Sequence, residues 1–96
     1  MRKIVWNKYA RLDYYKNIDY LLENWEETVT QNFVDAVNKT IEVLKKGQFD
    51  FQKTNITNIR RVVLTRQITL FYKTEDHSVE LLRFWNNYQN PEQMNI

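Results

Sequence analysis

Five basic residues in the second half of the chain are the side chains best suited to chemistry. They are Lys53, Arg60, Arg61, Arg66 and Lys73, and the stretch that holds them, residues 51–74, contains no Asp or Glu. Arginine in a strand needs water or an anion for its guanidinium, and its paired N–H groups match phosphate oxygens. The pattern indicates a positive, phosphate-facing surface, although a solvated basic face on a small domain would show the same charges.

Three short segments with strand character must position these cations. They cover residues 59–64, 67–73 and 79–85, and the last of them adds Arg83. Alternation along the middle segment puts Ile68, Leu70 and Tyr72 on one face, which is expected to pack on helices. Arg60 and Arg61 must point in opposite directions. At least one of them is therefore expected to face solvent or to pair with a carboxylate such as Glu80.

Composition excludes several classes of site. The chain has 96 residues, one Gly, one Pro, no Cys and a single histidine, His77. This length suits one domain, and we expect no disulfide, metal or cofactor. The net charge of +2 is too small by itself to indicate a nucleic-acid binder. Neither a signal peptide nor a membrane span is evident, so the sequence predicts a soluble, cytoplasmic protein without a membrane partner.

The first half of the chain predicts a strand followed by two helices. Residues 3–6 favour a strand, and Asn7 is a suitable N-cap for a helix over residues 8–24. The apolar stripe assigned to that helix is Leu12, Tyr15, Ile18, Leu22 and Trp25. A second helix is expected to begin near residues 26–28. Its stripe is Val29, Phe33, Ala36, Val37, Thr40, Ile41 and Leu44.

Two lysines followed by Gly47 are typical of a helix end, so the second helix should stop there. The break between the helices is so short that they should form an antiparallel hairpin. Residues 48–58 read as a polar connector, and residues 86–96, which include Pro91, as a C-terminal tail. The predicted fold class is α+β with the order β-α-α-β-β-β. One face of an antiparallel-type sheet packs on the helical hairpin, and residues 1–96 form a single domain.

This order of elements carries a family resemblance. The strand sequences Arg60-Arg61-Val62-Val63-Leu64 and Leu70-Phe71-Tyr72-Lys73, together with Leu81-Leu82-Arg83-Phe84-Trp85 and the Asn-rich segment after it, resemble those of RelE/ParE toxins of type II toxin-antitoxin systems. The segment from Ile18 to Trp25 also resembles the end of the family's first helix. The resemblance implies a small α+β toxin held inactive by a cognate antitoxin protein.

The family divides into two activities, and the resemblance carries residues for each. The RelE branch cuts mRNA on the ribosome, and the ParE branch poisons DNA gyrase. For a RelE-like nuclease, the resemblance implies Lys53, Arg61, Arg83 and Tyr88 as catalytic residues, because cations favour the anionic transition state at phosphorus. Tyr88 lies near the position of a late catalytic arginine and carries no permanent charge. The resemblance therefore favours the ParE branch, with a ribosome-dependent nuclease as the alternative.

Two further expectations concern partners. An antitoxin with an acidic amphipathic tail suits a basic sheet bordered by Phe71, Phe84 and Trp85, which we therefore predict as antitoxin-binding residues. The remaining alternative is a decayed toxin that has kept only antitoxin binding.

Overall fold

The computed structural model describes residues 1–89. Its elements, in chain order, are β1 (Lys3–Trp6), α1 (Lys8–Asn24), α2 (Glu27–Lys46), β2 (Gln52–Lys53), β3 (Ile59–Val63), β4 (Ile68–Thr74) and β5 (Ser78–Asn86). The strands form one sheet in the order β1-β5-β4-β3-β2. β1 runs parallel to β5, and each of the other neighbouring pairs is antiparallel.

The predicted α+β class, with a helical hairpin on a sheet, is confirmed, and the structure adds two features. The connector contains the short strand β2, which pairs with β3 through Gln52 opposite Arg61 and Lys53 opposite Arg60. Two residues are too few to show a strand period, so the sequence pattern could not reveal this strand. The sheet is also mixed, because β1 docks parallel to the last strand. The predicted tail begins inside β5, and its residues 90–96, including Pro91, lie outside the described residues.

The start of α1 confirms its predicted cap, whereas its buried face differs from the prediction. The Asn7 side chain accepts a hydrogen bond from the Tyr9 N–H at 2.8 Å. The predicted stripe residues Leu12, Tyr15 and Leu22 are 55%, 62% and 51% exposed. The residues of α1 that are buried instead are Ala10, Asn17 and Leu21. Apolar residues occur on more than one side of this helix, so their spacing alone did not identify the side that packs.

The stripe predicted for α2 is confirmed. Four of its members, Phe33, Val37, Thr40 and Leu44, are buried. The helix ends at Gly47, whose φ of 69° lies in the left-handed region that glycine adopts without strain. Arg2 completes this end, since its Nε donates to the Leu44 carbonyl at 3.0 Å and its backbone N–H donates to the Lys45 carbonyl at 2.8 Å. The N-terminal segment thereby fixes the end of α2.

The core lies between the helical hairpin and one face of the sheet. Ile68, Leu70 and Tyr72 of β4 are fully buried, as the alternation predicts. Tyr72 also has a polar role, because its hydroxyl oxygen accepts a hydrogen bond from the Phe51 N–H at 2.8 Å. This contact ties the connector to the middle of the sheet. Burial raises the pKa of Tyr72 above its ordinary value, and the hydrogen bond from Phe51 offsets part of that rise.

We expect Tyr72→Phe to change how stability depends on alkaline pH. The buried phenol stays neutral in the folded state above pH 10, where the unfolded chain ionises, so its contribution is complete below that pH. The contribution is lost as the pH rises through the raised folded-state pKa. At neutral pH the variant should be about 1 kcal/mol less stable, because the Phe51 N–H loses its acceptor.

Urea unfolding at neutral pH and at several values above pH 10 measures both effects. The variant should lose less stability on the alkaline side than the unmodified chain does. Tyr9→Phe is the matched control, since Tyr9 is 51% exposed. A variant with an alkaline decline as steep as that of the unmodified chain would contradict this role for Tyr72.

Candidate functional site

The sheet face turned away from the helices carries a row of side chains across four strands. Gln52, Arg61, Phe71 and Arg83 are successive cross-strand neighbours in β2, β3, β4 and β5. Because strand residues alternate, and Tyr72 faces the core, this row lies on the opposite side, which we call the outer-face row. Neighbouring strands are about 4.8 Å apart, so the backbones of Arg61 and Arg83 are separated by roughly 10 Å, with Phe71 between them.

Arg61 is the cation of this row that is best placed to bind an anion. Its side chain is exposed, and it has no ion-pair partner within residues 1–89. A guanidinium in that state can present two parallel N–H groups to a phosphate. Arg60, by contrast, donates to the Phe51 carbonyl at 2.7 Å and not to Glu80, which the sequence suggested as a partner for this pair of arginines. Glu80 accepts from the Asn7 side chain instead, at 3.1 Å.

Arg83 is held firmly by α1. Its Nε and one terminal nitrogen donate to the two oxygens of Asp13 at 2.6 Å and 3.1 Å. The guanidinium also lies near the rings of Tyr9 and Trp85, at 5.9 Å and 5.5 Å from their centroids. Its side chain is only 18% exposed. Arg83 is therefore fixed in position, and the carboxylate balances much of its charge.

The same helix closes the free edge of β5. One Asp13 oxygen accepts from the Phe84 N–H at 3.1 Å, and the Asn17 side chain donates to the Phe84 carbonyl at 2.8 Å. β1 ends at Trp6 and therefore covers only the first part of the β5 edge. Beyond that point, the side chains of Asp13 and Asn17, one helical turn apart, bind the backbone groups of β5 that β1 does not reach. This arrangement explains why Asn17 is buried on a helix face that otherwise packs apolar residues.

Lys53 and Arg60 lie beside each other at the other end of the sheet. They are direct cross-strand neighbours in β2 and β3, and alternation turns Lys53 away from the face that carries Arg61. Both side chains line a cleft of about 360 Å³, and the link between β2 and β3 forms much of the rest of its wall. The other lining residues are Thr54, Ile56, Thr57, Asn58, Ile59 and Thr74. The structure therefore does not bring Lys53 into the outer-face row.

Tyr88 lies past the end of β5. Its ring stacks on Trp25 with a centroid distance of 6.5 Å and an interplanar angle of 14°, and the Arg66 guanidinium lies 5.8 Å from the Trp25 ring. Trp25 is the C-cap of α1, so this cluster lies at the junction of the two helices. Of the four residues predicted for a nuclease, the structure groups Arg61 with Arg83 and leaves Lys53 and Tyr88 at separate places.

The three predicted antitoxin-binding residues have different environments. Phe71 is half-buried in the outer-face row. Phe84, predicted as an antitoxin-binding residue at the border of the sheet, is 1% exposed and packs in the core, so its side chain does not lie at the surface. It is opposite Leu70, and both point toward the helices. Trp85 is 6% exposed and lies under Arg83. Only Phe71 of the three is available at the surface to an appreciable extent.

Sequence reasoning missed Asp13, the residue that fixes Arg83. A single aspartate on an amphipathic helix is usually a solvated charge, and the partner of Asp13, Arg83, lies 70 positions away in the chain. A signal was present, because Asp13 and Asn17 are four residues apart on the face that also holds Ala10 and Leu21. Two polar side chains on a buried helix face must find partners, and this requirement would have pointed to them.

Within residues 1–89, no helix combines the length and the apolar character that crossing a bilayer requires. The same residues contain no cluster of three or more acidic or imidazole side chains that would suit a metal ion.

No protein-family model matches the sequence, and no curated protein matches it. Solved structures do match its fold. A chain of the chromosomal ParDE TA system from P. aeruginosa superimposes with a TM-score of 0.71 at 15% identity, covering 90% of this chain and 96% of that one. A YoeB/ParE toxin from Agrobacterium tumefaciens gives 0.58 at 14% identity, with 90% and 99% covered.

The heterotetrameric YoeB-YefM toxin-antitoxin complex from Staphylococcus aureus contains a third similar chain. It superimposes with a TM-score of 0.58 at 14% identity, covering 92% of this chain and 99% of that one. The architecture is therefore a five-stranded α+β sheet with a helical hairpin on one face. It is the fold of the ParE and YoeB toxins, which confirms the fold that the RelE/ParE resemblance implies.

Proposed function

We propose that this chain is the toxin of a type II toxin-antitoxin system, that it arrests growth, and that DNA gyrase is its target. The fold shared with ParE and YoeB toxins supports the class. The observation that carries the choice of target is the state of Arg83, which Asp13 holds with two hydrogen bonds. A nuclease of this type needs several cations converging on one phosphate. Here Arg83 is balanced by a carboxylate, and Lys53 and Tyr88 lie elsewhere.

The proposed partner is a cognate antitoxin. Its support is the occurrence of similar chains in the ParDE system and in the YoeB-YefM complex. We assign the contact to the outer-face row, where Arg61 offers an exposed charge and Phe71 a half-buried ring to an acidic amphipathic segment. Phe71→Ala tests this contact, because Phe84→Ala would disturb the core and could not distinguish binding from folding.

We expect expression of the chain without an antitoxin to arrest growth, and Arg61→Ala to weaken that arrest. A charged hydrogen bond contributes about 1.5–3 kcal/mol, so the inhibitory concentration should rise roughly tenfold or more. Lys39→Ala is the matched control, since it removes one exposed charge from α2, which lies on the other side of the sheet. The free energy of unfolding of each variant should lie within about 0.5 kcal/mol of that of the unmodified chain.

Two assays on the purified protein identify the target. In the first, gyrase supercoiling and DNA cleavage are measured, and we expect inhibition that Arg61→Ala weakens. In the second, mRNA is mapped by primer extension on translating ribosomes, and we expect intact message. Discrete mRNA cuts would contradict gyrase as the target and identify the translating ribosome instead. Normal growth of cells that contain the folded protein would overturn the toxin assignment itself.

A further inference from the structure

The cleft beside β2 and β3 lies on the helix side of the sheet and is separate from the outer-face row. Lys53 is opposite Arg60, and Arg60 is opposite Tyr72, whose side chain faces the core. Alternation therefore turns both cations to the face opposite Arg61. The rest of the wall comes from β3, from the link that precedes it and from Thr74 of β4, so neither helix lines the cleft.

Arg60 is held in position by a neutral partner. Its Nη1 donates to the Phe51 carbonyl at 2.7 Å, and the Phe51 N–H donates to the Tyr72 hydroxyl at 2.8 Å. Phe51 is thereby fixed between the two side chains. No other group within residues 1–89 accepts from the Arg60 guanidinium, so its remaining N–H groups can donate to a ligand. The carbonyl orients this cation without neutralising it.

The charges around the cleft leave it positive. Lys53 is exposed and has neither an ion pair nor a hydrogen-bond partner in the described part of the chain. No Asp or Glu of residues 1–89 lines the cleft. The acids that flank this stretch of sequence, Asp50 and Glu75, bind other cations, Arg2 at 2.9 Å and Lys73 at 3.8 Å. The two cations of the cleft therefore have no carboxylate that balances them.

Neutral donors and two isoleucines complete the wall. Thr57, Asn58 and Thr74 line the cleft, and their side chains have no hydrogen-bond partner among the described residues. Asn58 is the third residue of a turn that the Ile59 N–H closes by donating to the Ile56 carbonyl at 3.1 Å, and its φ is 68°. The turn fixes the backbone of Asn58 in the left-handed region, which asparagine adopts more readily than most residues. Both isoleucines add apolar surface beside these polar groups.

We propose that this cleft binds a nucleoside phosphate, with the phosphate between Lys53 and Arg60 and the nucleoside against Ile56 and Ile59. A guanidinium and an ammonium suit the several acceptor oxygens of a phosphate, and hydroxyl groups can supply further donors. The cleft of about 360 Å³ lies within the range of small-molecule sites, roughly 300–1,000 Å³, so it has room for more than a phosphate. The Asn58 amide can donate to and accept from the edge of a base. The proposal does not depend on the toxin activity.

Titration of the purified full-length chain with adenosine monophosphate (AMP), followed by the amide signals in NMR spectra, tests the site. We expect a dissociation constant of roughly 10 µM to 1 mM, with shifts confined to residues 53–60 and Thr74. Binding should weaken as salt rises. Inorganic phosphate should bind several-fold more weakly, because it does not reach the isoleucines. No shifts up to about 10 mM AMP, or equal affinities for AMP and phosphate, would overturn the proposal.

Lys53→Met should lower the affinity for AMP about tenfold or more, because it removes one charged contact and keeps most of the side-chain length. Lys39→Met is the matched control, since it removes an exposed charge from α2. Equal affinities of these two variants would contradict the role of Lys53. Arg61→Met reports which face binds. A loss as large as that of Lys53→Met would place the phosphate in the outer-face row and overturn the proposal.

A short single-stranded oligonucleotide without terminal phosphates tests the other source of phosphate, a nucleic-acid backbone. We expect it to bind the cleft more weakly than AMP, because each of its internal phosphates carries one negative charge and is flanked by two sugars. Tighter binding of the oligonucleotide, with shifts at residues 53–60, would show that the cleft takes a polymer and not a nucleoside phosphate.

Discussion

Phe84→Ala should reduce the free energy of unfolding by about 3–5 kcal/mol, the range measured when a buried phenylalanine is truncated. Phe84 contacts every layer of the molecule. Its ring centroid lies 5.4 Å from that of Trp6 in β1, 5.7 Å from that of Tyr14 in α1 and 6.1 Å from that of Phe33 in α2. Truncation would leave a cavity among these three rings and remove the contacts that the Phe84 ring makes with each of them.

Urea unfolding monitored by tryptophan fluorescence measures the loss. Because small domains are stable by only about 5–15 kcal/mol, the variant should be close to unfolding at growth temperature. Phe49→Ala is the matched control: Phe49 is 56% exposed, and its nearest ring is Phe51, at 4.9 Å. We expect the control to lose less than about 1 kcal/mol. Equal losses in the two variants would contradict the assignment of Phe84 to the core.

The strands differ in how well the sequence predicts which of their residues face the core. Alternation along β4 identified its core face without a structure, because a strand with one buried face leaves a period of two in its residue types. The same period set Arg60 and Arg61 on opposite faces. β5 is harder to interpret, since the register with β4 shifts between Phe71 and Tyr72 and leaves Leu82 without a direct partner on β4. An irregularity of this kind breaks the alternation and hides which of Arg83, Phe84 and Trp85 faces the core.

The helices show a second limit. α2 has one strongly apolar side, and its buried residues follow from their spacing alone. α1 has apolar residues on its solvent face as well, and it binds the sheet edge partly through Asp13 and Asn17. Periodicity cannot recognise a helix face whose contacts are polar, since such residues are usually exposed. The position of Lys53 relative to Arg61 depends on the register of β2 and β3, and that of Tyr88 depends on the junction of the two helices. Local sequence patterns predict neither of these features.

Asp13→Ala is expected to be the second most damaging substitution, with a loss of about 2–3 kcal/mol. It leaves the Arg83 guanidinium and the Phe84 N–H without their acceptor in a site where both side chains of the ion pair are less than 20% exposed. Breaking a buried pair by removing one partner typically costs 3–5 kcal/mol, and the residual solvent contact of this pair reduces that figure. Asp13→Asn keeps an oxygen for one donor and should lose about half as much.

Comparison with Arg83→Met separates the ion pair from the sheet-edge contact. If the charge pair dominates, the double variant Asp13→Ala with Arg83→Met should lose less free energy of unfolding than the two single variants lose together. The difference should be roughly 1–2 kcal/mol. The remaining loss measures the Phe84 N–H left at the open edge of β5. Asp76→Ala, in the exposed turn between β4 and β5, serves as control and should change stability by less than about 0.5 kcal/mol.

Asp13→Asn also tests whether the ion pair affects binding of nucleic acid. Without the Asp13 carboxylate, the positive charge of Arg83 is no longer balanced by a bound anion beside Phe71 in the outer-face row. If the Asp13 carboxylate is what withholds this cation from phosphate, Asp13→Asn should bind a single-stranded oligonucleotide more tightly than the unmodified chain, by several-fold at low salt. Fluorescence anisotropy under conditions where both proteins are folded measures the difference. Unchanged affinity would mean that the ion pair serves only to fix α1 on the edge of β5.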